Sequence, residues 1–545
     1  MSFLAKFGET IRVFASRRPS LRELWASRDG SFDRAHAILP SDAVAGESVG
    51  MTVQAWDEYE RLHDHAGTFA LGATDADATH PESVTFTPAD EGLVRVEGVT
   101  FETPGVQYVT LTDERGRRFV SNPVRVHESA PDERLYWGDI HLHSILSDGV
   151  GRPRKGYRFG RDVMDLDVVA YTDHDTMGFF IPPAWQQRRM RDRYVDDLRD
   201  AAEEFNDPGE YVTLFAYEWT KQPNEGGHIN VYFEDADAPL FTSRDPDTDT
   251  YEKLWARLHE WREDTGKRVL AFPHHSSEAA YPFDFSSVEY DDDLAPVYEI
   301  YSQWGSSERS GADGNERPVL MGAGEVGTPG HYYQDLLKMG GRAGMMAGSD
   351  YHGPHPGHSL VHAKPHLPSL AEWREDGLGW GNIWRIWNET SSPGGLTAFR
   401  APELTRSAIF DALATRRVYG TTQPDRILAE FAIDGVAVGE QDSTVAVDAP
   451  DAERTLSIDV AGTAPIDRVE VVKNTETWRR VAGTDDPDAD LDAYRLTTEL
   501  TDDAPVEGMS WDEERGTDDD AYYLRIYQTD DGMAWVGPLW VTVGT

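Results

Sequence analysis

The chain contains no cysteine, which excludes disulfides and thiolate metal sites, so any metal must be held by imidazole and oxygen. It has no window near the ~18 uninterrupted apolar residues of a membrane helix, and no membrane partner is expected. Positive charge is scarce as well: Lys and Arg number 51 against 97 Asp and Glu, a formal net charge of -46 over 545 residues. That excess disfavours nucleic acid or an anionic bilayer as a partner, and no basic stripe of the kind a nuclease uses is present.

Arginine greatly outnumbers lysine, and the acids, mostly aspartate, are spread along the chain rather than gathered in a tail. Such a self-repelling surface is tolerated in molar salt, where the Debye length falls to about 3 Å. The reading is a cytoplasmic protein of an extreme halophile; the alternative is an unusually acidic mesophile protein. Unfolding followed against KCl concentration checks it: stability is expected to rise toward molar salt, and full stability at about 50 mM would overturn it.

A chain of this length divides into several folding units. Residues 1–36 read as a helical or capping segment; Arg17 and Arg18 resemble a twin-arginine signal only as far as Pro19, because Leu21, Arg22 and Glu23 begin no apolar region. Residues 37–131 carry short alternating runs, including Gly50 to Ala55, Leu93 to Val96 and Val106 to Thr110, the pattern of an Ig-like β-sandwich. Residues 132–425 alternate apolar strand-like runs with helical stretches such as Trp185 to Phe205 and Glu252 to Thr265, the pattern of repeated β-α units. Residues 426–545 return to β texture, with strands expected at Ile427 to Ile433, Thr455 to Val460, Val469 to Val472 and Tyr522 to Tyr527.

In the β-α region seven strands are expected: Tyr136 to Leu142, Asp167 to Tyr171, Tyr211 to Tyr217, His228 to Phe233, Val269 to Phe272, Val297 to Tyr301 and Gly344 to Ala347. Several end in a histidine or carboxylate. Asp139-Ile140-His141-Leu142-His143 places two imidazoles at i and i+2 of an extended segment, where both point the same way. Asp148 follows, then Thr172-Asp173-His174-Asp175, Glu218, His228, the doubled His274 and His275, and Asp350-Tyr351-His352. In a closed parallel barrel all strand C-termini open onto one face, so such groups would converge. For any single histidine the plainer reading is a hydrogen-bonded surface or core residue. The repetition of ligand types at strand ends, with both a His-x-His and an Asp-x-His pair, points to a metal cluster.

These motifs and their order resemble the PHP (polymerase and histidinol phosphatase) superfamily over roughly Leu135 to Thr422. Tyr136-Trp137-Gly138-Asp139, Glu403-Leu404-Thr405-Arg406 through Arg416-Arg417, and the flanking β regions resemble a multidomain branch catalogued as a domain of unknown function. The resemblance implies a multidomain fold in which a distorted (β/α)7 barrel is flanked by N-terminal and C-terminal β-sandwich-like domains. It implies two or three divalent ions, zinc or manganese with iron as a further option. One would be held by His141, His143, Glu218 and Asp350. A second would be held by Glu218, His228 and His274, in preference to His275, and a third by Asp148, His174 and His352. The implied reaction is phosphoester hydrolysis by a metal-bridging hydroxide on a small phosphorylated substrate, with Asp350 taking a proton. His275, His355 and His358 are candidates to face substrate. Asp173 and Asp175 either orient imidazoles or cap loops, and Glu299 and Trp304 receive no role. The alternatives are a metal-dependent amidohydrolase-type cleavage of a C–N bond, and a non-catalytic binding protein with a metal-stabilised scaffold; oligomeric state is left open.

Overall fold

In the computed structural model, residues 19–387 and 390–544 are described. Arg17 and Arg18, with the first half of the expected N-terminal segment, lie outside them. The chain is multidomain and mostly β, with few helices.

Residues 32–127 form three small sheets around one apolar core. Phe32–Ile38, Ser48–Asp57 and Leu93–Thr100 pair antiparallel, and Gly67–Ala73 lies between Ser83–Phe86 and Val109–Thr112. Ala37, Val53, Phe69, Val99 and Leu111 meet between them, the inward half of each alternating pattern. The strand expected across 106–110 is two, Gly105–Gln107 and Val109–Thr112, separated at Tyr108, whose hydroxyl donates to the Gly462 carbonyl (3.1 Å).

All seven strands of the next region form: β1 Arg134–Asp139, β2 Val168–Tyr171, β3 Val212–Trp219, β4 Ile229–Phe233, β5 Val269–Pro273, β6 Val297–Ser302 and β7 Gly344–Ala347. They are not uniformly parallel. β1 to β5 are consecutive neighbours in a twelve-stranded sheet in which β1–β2 and β2–β3 are parallel but β3–β4 and β4–β5 antiparallel. β6 and β7 pair parallel in a separate sheet of three. The connection from β3 to β4 holds no helix, so the chain returns antiparallel beside itself. Isolated bridges from His274 to Glu299 and from Leu142 to Tyr351 join the two sheets on both sides. Ile140, Ala170, Leu214, Phe272, Val297 and Met346, drawn from both sheets, share one apolar cluster.

β1 ends at Asp139 rather than Leu142. Beyond it, His143 N–H donates to the Tyr351 carbonyl (2.9 Å), which keeps the His-x-His segment extended outside the sheet. The helical stretch ending at Phe205 is continuous from Pro183, with a π turn at Met190–Tyr194.

The large sheet continues from β1 through β8 Gly395–Ala401 to β9 Val418–Thr422 and on to the final strand, β12 Met533–Val543, with Gly420 opposite Trp535. β10 Ile466–Lys473 and β11 Asp520–Gln528 belong to this same sheet. Leu428–Ile433, Arg454–Ala461 and Arg495–Asp502 instead form a small sheet with Val436–Ala437. The strands read as one C-terminal β unit are thus shared between two sheets. Arg525 on β11 is buried between Glu308 and Glu470, with Nε 2.7 Å from Glu308 and Nη1 2.5 Å from Glu470.

Candidate metal centre

The ends of β1, β3, β5 and β7 and the start of β4 open onto one buried pocket. Because β4 runs antiparallel to β3, its beginning lies at that end, so His228 precedes its strand whereas Glu218 sits near the close of β3. The loops are tied down by carboxylates. Asp139 accepts from the backbone of Ser349 (3.0 Å) and Gly357 (2.9 Å) and from Gln423 Nε2 (3.1 Å), and burial lifts its carboxyl to about 6. Asp173 accepts from the backbone and hydroxyls of Ser144 and Ser147, fixing the loop that carries Asp148. Asp175 accepts from the N–H groups of Thr220 (2.9 Å) and Ser243 (2.5 Å). Of the two roles open to these acids, capping loops is the one they perform.

All nine candidate ligands converge. Groups whose ligand atoms lie within 4.8 Å of one another include His141, His143 and Asp350; His141, Glu218 and His274; His174, Glu218 and His228; His228, His274 and His275; and His143, Asp148, His174 and His352. The best defined is a cage of His141 Nε2, His143 Nε2, Glu218 Oε2 and Asp350 Oδ1. The imidazole nitrogens are 3.3 Å apart, and they lie 3.3 and 3.2 Å from Glu218 and 3.4 and 3.0 Å from Asp350. A tetrahedron of N and O ligands about 2.0–2.1 Å from a central ion has edges of about 3.3 Å. Asp148 Oδ1 lies 3.5 Å from His174 Nε2 and 3.4 Å from His352 Nε2. Glu218 Oε1 is 2.7 Å from His228 Nδ1 without the alignment of a hydrogen bond, and Glu218 Oε2 is 3.5 Å from His274 Nε2.

Several ligand-type atoms around the cage have no hydrogen bond. His143 Nδ1, Asp148 Oδ1, His228 Nδ1, His275 Nδ1 and both nitrogens of His274 are buried without a hydrogen-bond partner, an arrangement that is costly unless an ion or ligand completes it. Among the described residues, no Lys or Arg forms an ion pair with any of the nine. Burial opposes charging of His141, yet the Asp350 and Glu299 carboxylates hold it well above the ordinary imidazole range. Against the same burial, His174, His228 and His274 hold Glu218 well below the usual carboxylate range, and His141 and His143 do so for Asp350. Both carboxylates are thereby held in the ionised form that ligates a metal. Burial takes His275 to about 3 and His352 to about 4, leaving neutral imidazoles of the kind that bind metal.

His274 and His275 both reach the cluster: His274 adjoins His141 and Glu218 as well as His228, and His275 adjoins His228 and His274. His275 (φ 30°) and Asp350 (φ 51°) both occupy the left-handed region, strain of the kind that gathers at functional sites. His355 and His358 lie elsewhere. They line a cavity of about 610 Å³ against Trp56 and Phe159, which none of the nine lines; the His358 ring stacks on Trp56 (4.1 Å) and its Nε2 meets the Glu60 carbonyl (2.8 Å).

Glu299, left without a role by its sequence, holds His141 Nδ1 at 2.8 Å and so turns Nε2 toward the cage. Thr220 does the same for His174 Nδ1 (2.8 Å), and Gln303 donates to the Asp350 carbonyl (2.5 Å). A lone acid within the apolar strand Val297–Ser302 was the signal for Glu299; Thr220 and Gln303 leave none.

Comparison with known proteins places this geometry among uncharacterised relatives. A protein of Chlamydia muridarum is 24% identical over 514 residues, covering 92% of this chain and 73% of its own length. One from Chlamydia pneumoniae is 25% identical over 464 residues, 83% of this chain; the chain spans 64% of that relative's length. Among solved structures, a two-domain protein of Bacteroides vulgatus containing a predicted PHP-like metal-dependent phosphoesterase is 14% identical, covering 75% of this chain and 98% of its own, with a TM-score of 0.35. Residues 167–294 and 342–453, which include His174, Glu218, His228, His274, Asp350 and His352, match the family described as a protein of unknown function (DUF3604).

Proposed function

We propose that the chain is a metal-dependent hydrolase that cleaves a phosphomonoester or phosphodiester of a small molecule. The observation that carries this reading is the set of nine buried histidines and carboxylates whose ligand atoms converge with several nitrogens unpartnered. In this reading β1 to β7, with the two bridges between their sheets, are a distorted (β/α)7 barrel of PHP type. Two or three divalent ions, zinc or manganese with iron as a further option, would supply the charge stabilisation and water activation that the reaction requires.

The chain's own groups have separable tasks. His141, His143, Glu218 and Asp350 hold one position; Glu218 also serves a second with His228, His274 and His275; and Asp148, His174 and His352 hold a third with His143. Asp350 presents Oδ1 to the His141–His143 cage and leaves Oδ2 3.9 Å from His275 Nε2, placed to take a proton from the attacking water. Glu299 and Thr220 keep the imidazoles oriented.

Metal analysis of the purified protein, followed by phosphomonoesters, phosphodiesters and amides assayed with Zn, Mn or Fe, tests the reading. Two or three ions per chain and turnover of phosphoesters are expected. Cleavage of amides alone would move the activity to C–N bonds, and stoichiometric metal without turnover of any substrate class would make the chain a binding protein.

A further inference from the structure

One wall of the metal centre is built from aromatic rings that no task above uses. The Trp384 ring packs edge-on against candidate ligand His352 (4.8 Å, 69°), and Trp304 lies 5.5 Å from His275. The two indoles meet at 5.9 Å. One helical turn before Trp384, Trp380 stacks on it nearly parallel (5.4 Å, 14°), and Phe180 lies 6.0 Å from Trp380. Trp304 is buried, Trp380 and Trp384 are half-buried and Phe180 is 76% exposed. The rings thus run without a break from two candidate ligands to solvent.

Two features separate this series from ordinary packing. Phe180 holds a left-handed backbone (φ 53°), an outlier for a bulky residue, and it does so while turned to water, where burial of the ring offsets nothing. Trp304 Nε1 is buried without a hydrogen-bond partner, although buried indole N–H groups ordinarily find one.

We propose that this wall selects the substrate: a ring, planar aryl or a pyranose presenting its C–H face, carried next to the cleavable group lies against Trp380 and Phe180, and Trp304 Nε1 donates to an oxygen of the bound molecule. This rests on the hydrolase reading above and narrows it to ring-bearing substrates. The flat faces of indole and phenyl rings stack on aromatic rings and on the C–H face of a sugar alike. Straight alkyl esters offer no such face.

Calorimetric binding to the metal-loaded full chain tests the wall with phenylphosphonate, a glucopyranosyl phosphonate and butylphosphonate, beside benzohydroxamate and butyrohydroxamate. Ring-bearing phosphonates are expected to bind about tenfold or more tighter than the butyl compound; whichever of phenyl and pyranose is preferred identifies the source of the ring. In Trp380→Ala and in Phe180→Ala, the latter a surface change that leaves the core intact, the ring-to-alkyl ratio should fall toward one, while Trp380→Tyr retains it. Equal affinity of ring and butyl phosphonates would overturn the wall and leave phosphoryl chemistry standing. A ring preference confined to the hydroxamates would keep the wall and remove the phosphoesterase reading, and no binding of any of the five would overturn both.

Discussion

Alanine at His141 or at Asp350 is expected to remove metal and turnover together. Each supplies one corner of the cage, whose ligand atoms lie 3.0 to 3.4 Å apart. Loss of a direct corner should weaken metal retention by more than the roughly 10- to 100-fold typical when a partner behind a ligand is lost. Glu299→Gln, which disturbs only the orientation of His141, is the milder counterpart and should fall within that range. Metal content after dialysis, measured beside turnover with saturating metal, separates the two. An Asp350→Ala protein with full metal and full activity would rule the assignment out.

The largest expected loss of stability lies outside the candidate ligands, at Arg525. Its guanidinium is almost wholly buried and is shared by Glu308 and Glu470, and Glu308 also accepts from the Tyr523 hydroxyl (2.5 Å) and from Trp535 Nε1 (3.2 Å). Truncation to alanine leaves Glu308 buried without a cation, while Glu470 keeps Arg480 and Arg468; removing one partner of such a buried pair costs about 3–5 kcal/mol. Lysine should not restore it, because one ammonium cannot replace a guanidinium that spans two carboxylates. Chemical denaturation reads the effect as a shift of the unfolding midpoint, and a loss below about 1 kcal/mol would mean that the pocket rearranges to let water in.

Much of the centre was legible in the sequence because ligand chemistry is written in short words. His141-Leu142-His143 and Asp350-Tyr351-His352 are local pairs, and the apolar runs ahead of Glu218 and His274 mark their strands unambiguously. Strand direction is not written that way. β4 has the same composition whether it runs with or against β3, so the position of His228 before its strand becomes intelligible only from the pairing of Glu218 with Asn230. His355 and His358 follow the last motif closely, yet His355 packs against Phe159, and the chain turns at Gly357 (φ 74°), whose N–H is held by Asp139, before His358 stacks on Trp56. Nor does a pairing such as Gly420 with Trp535 leave a local trace, which is why the final strands read as a unit of their own.

That last pairing bears on how the molecule is made. Synthesis delivers the candidate ligands in order from His141 to His352, but β9 keeps an open edge until β12, more than a hundred residues further along the chain, has been made. Unpaired sheet edges invite association with other chains, and contacts this distant in sequence form slowly. The nascent chain therefore carries the region of candidate ligands, already acidic and rich in imidazole, through a long interval in which the sheet beneath it is unfinished, and assembly of that region is tied to the synthesis of β12.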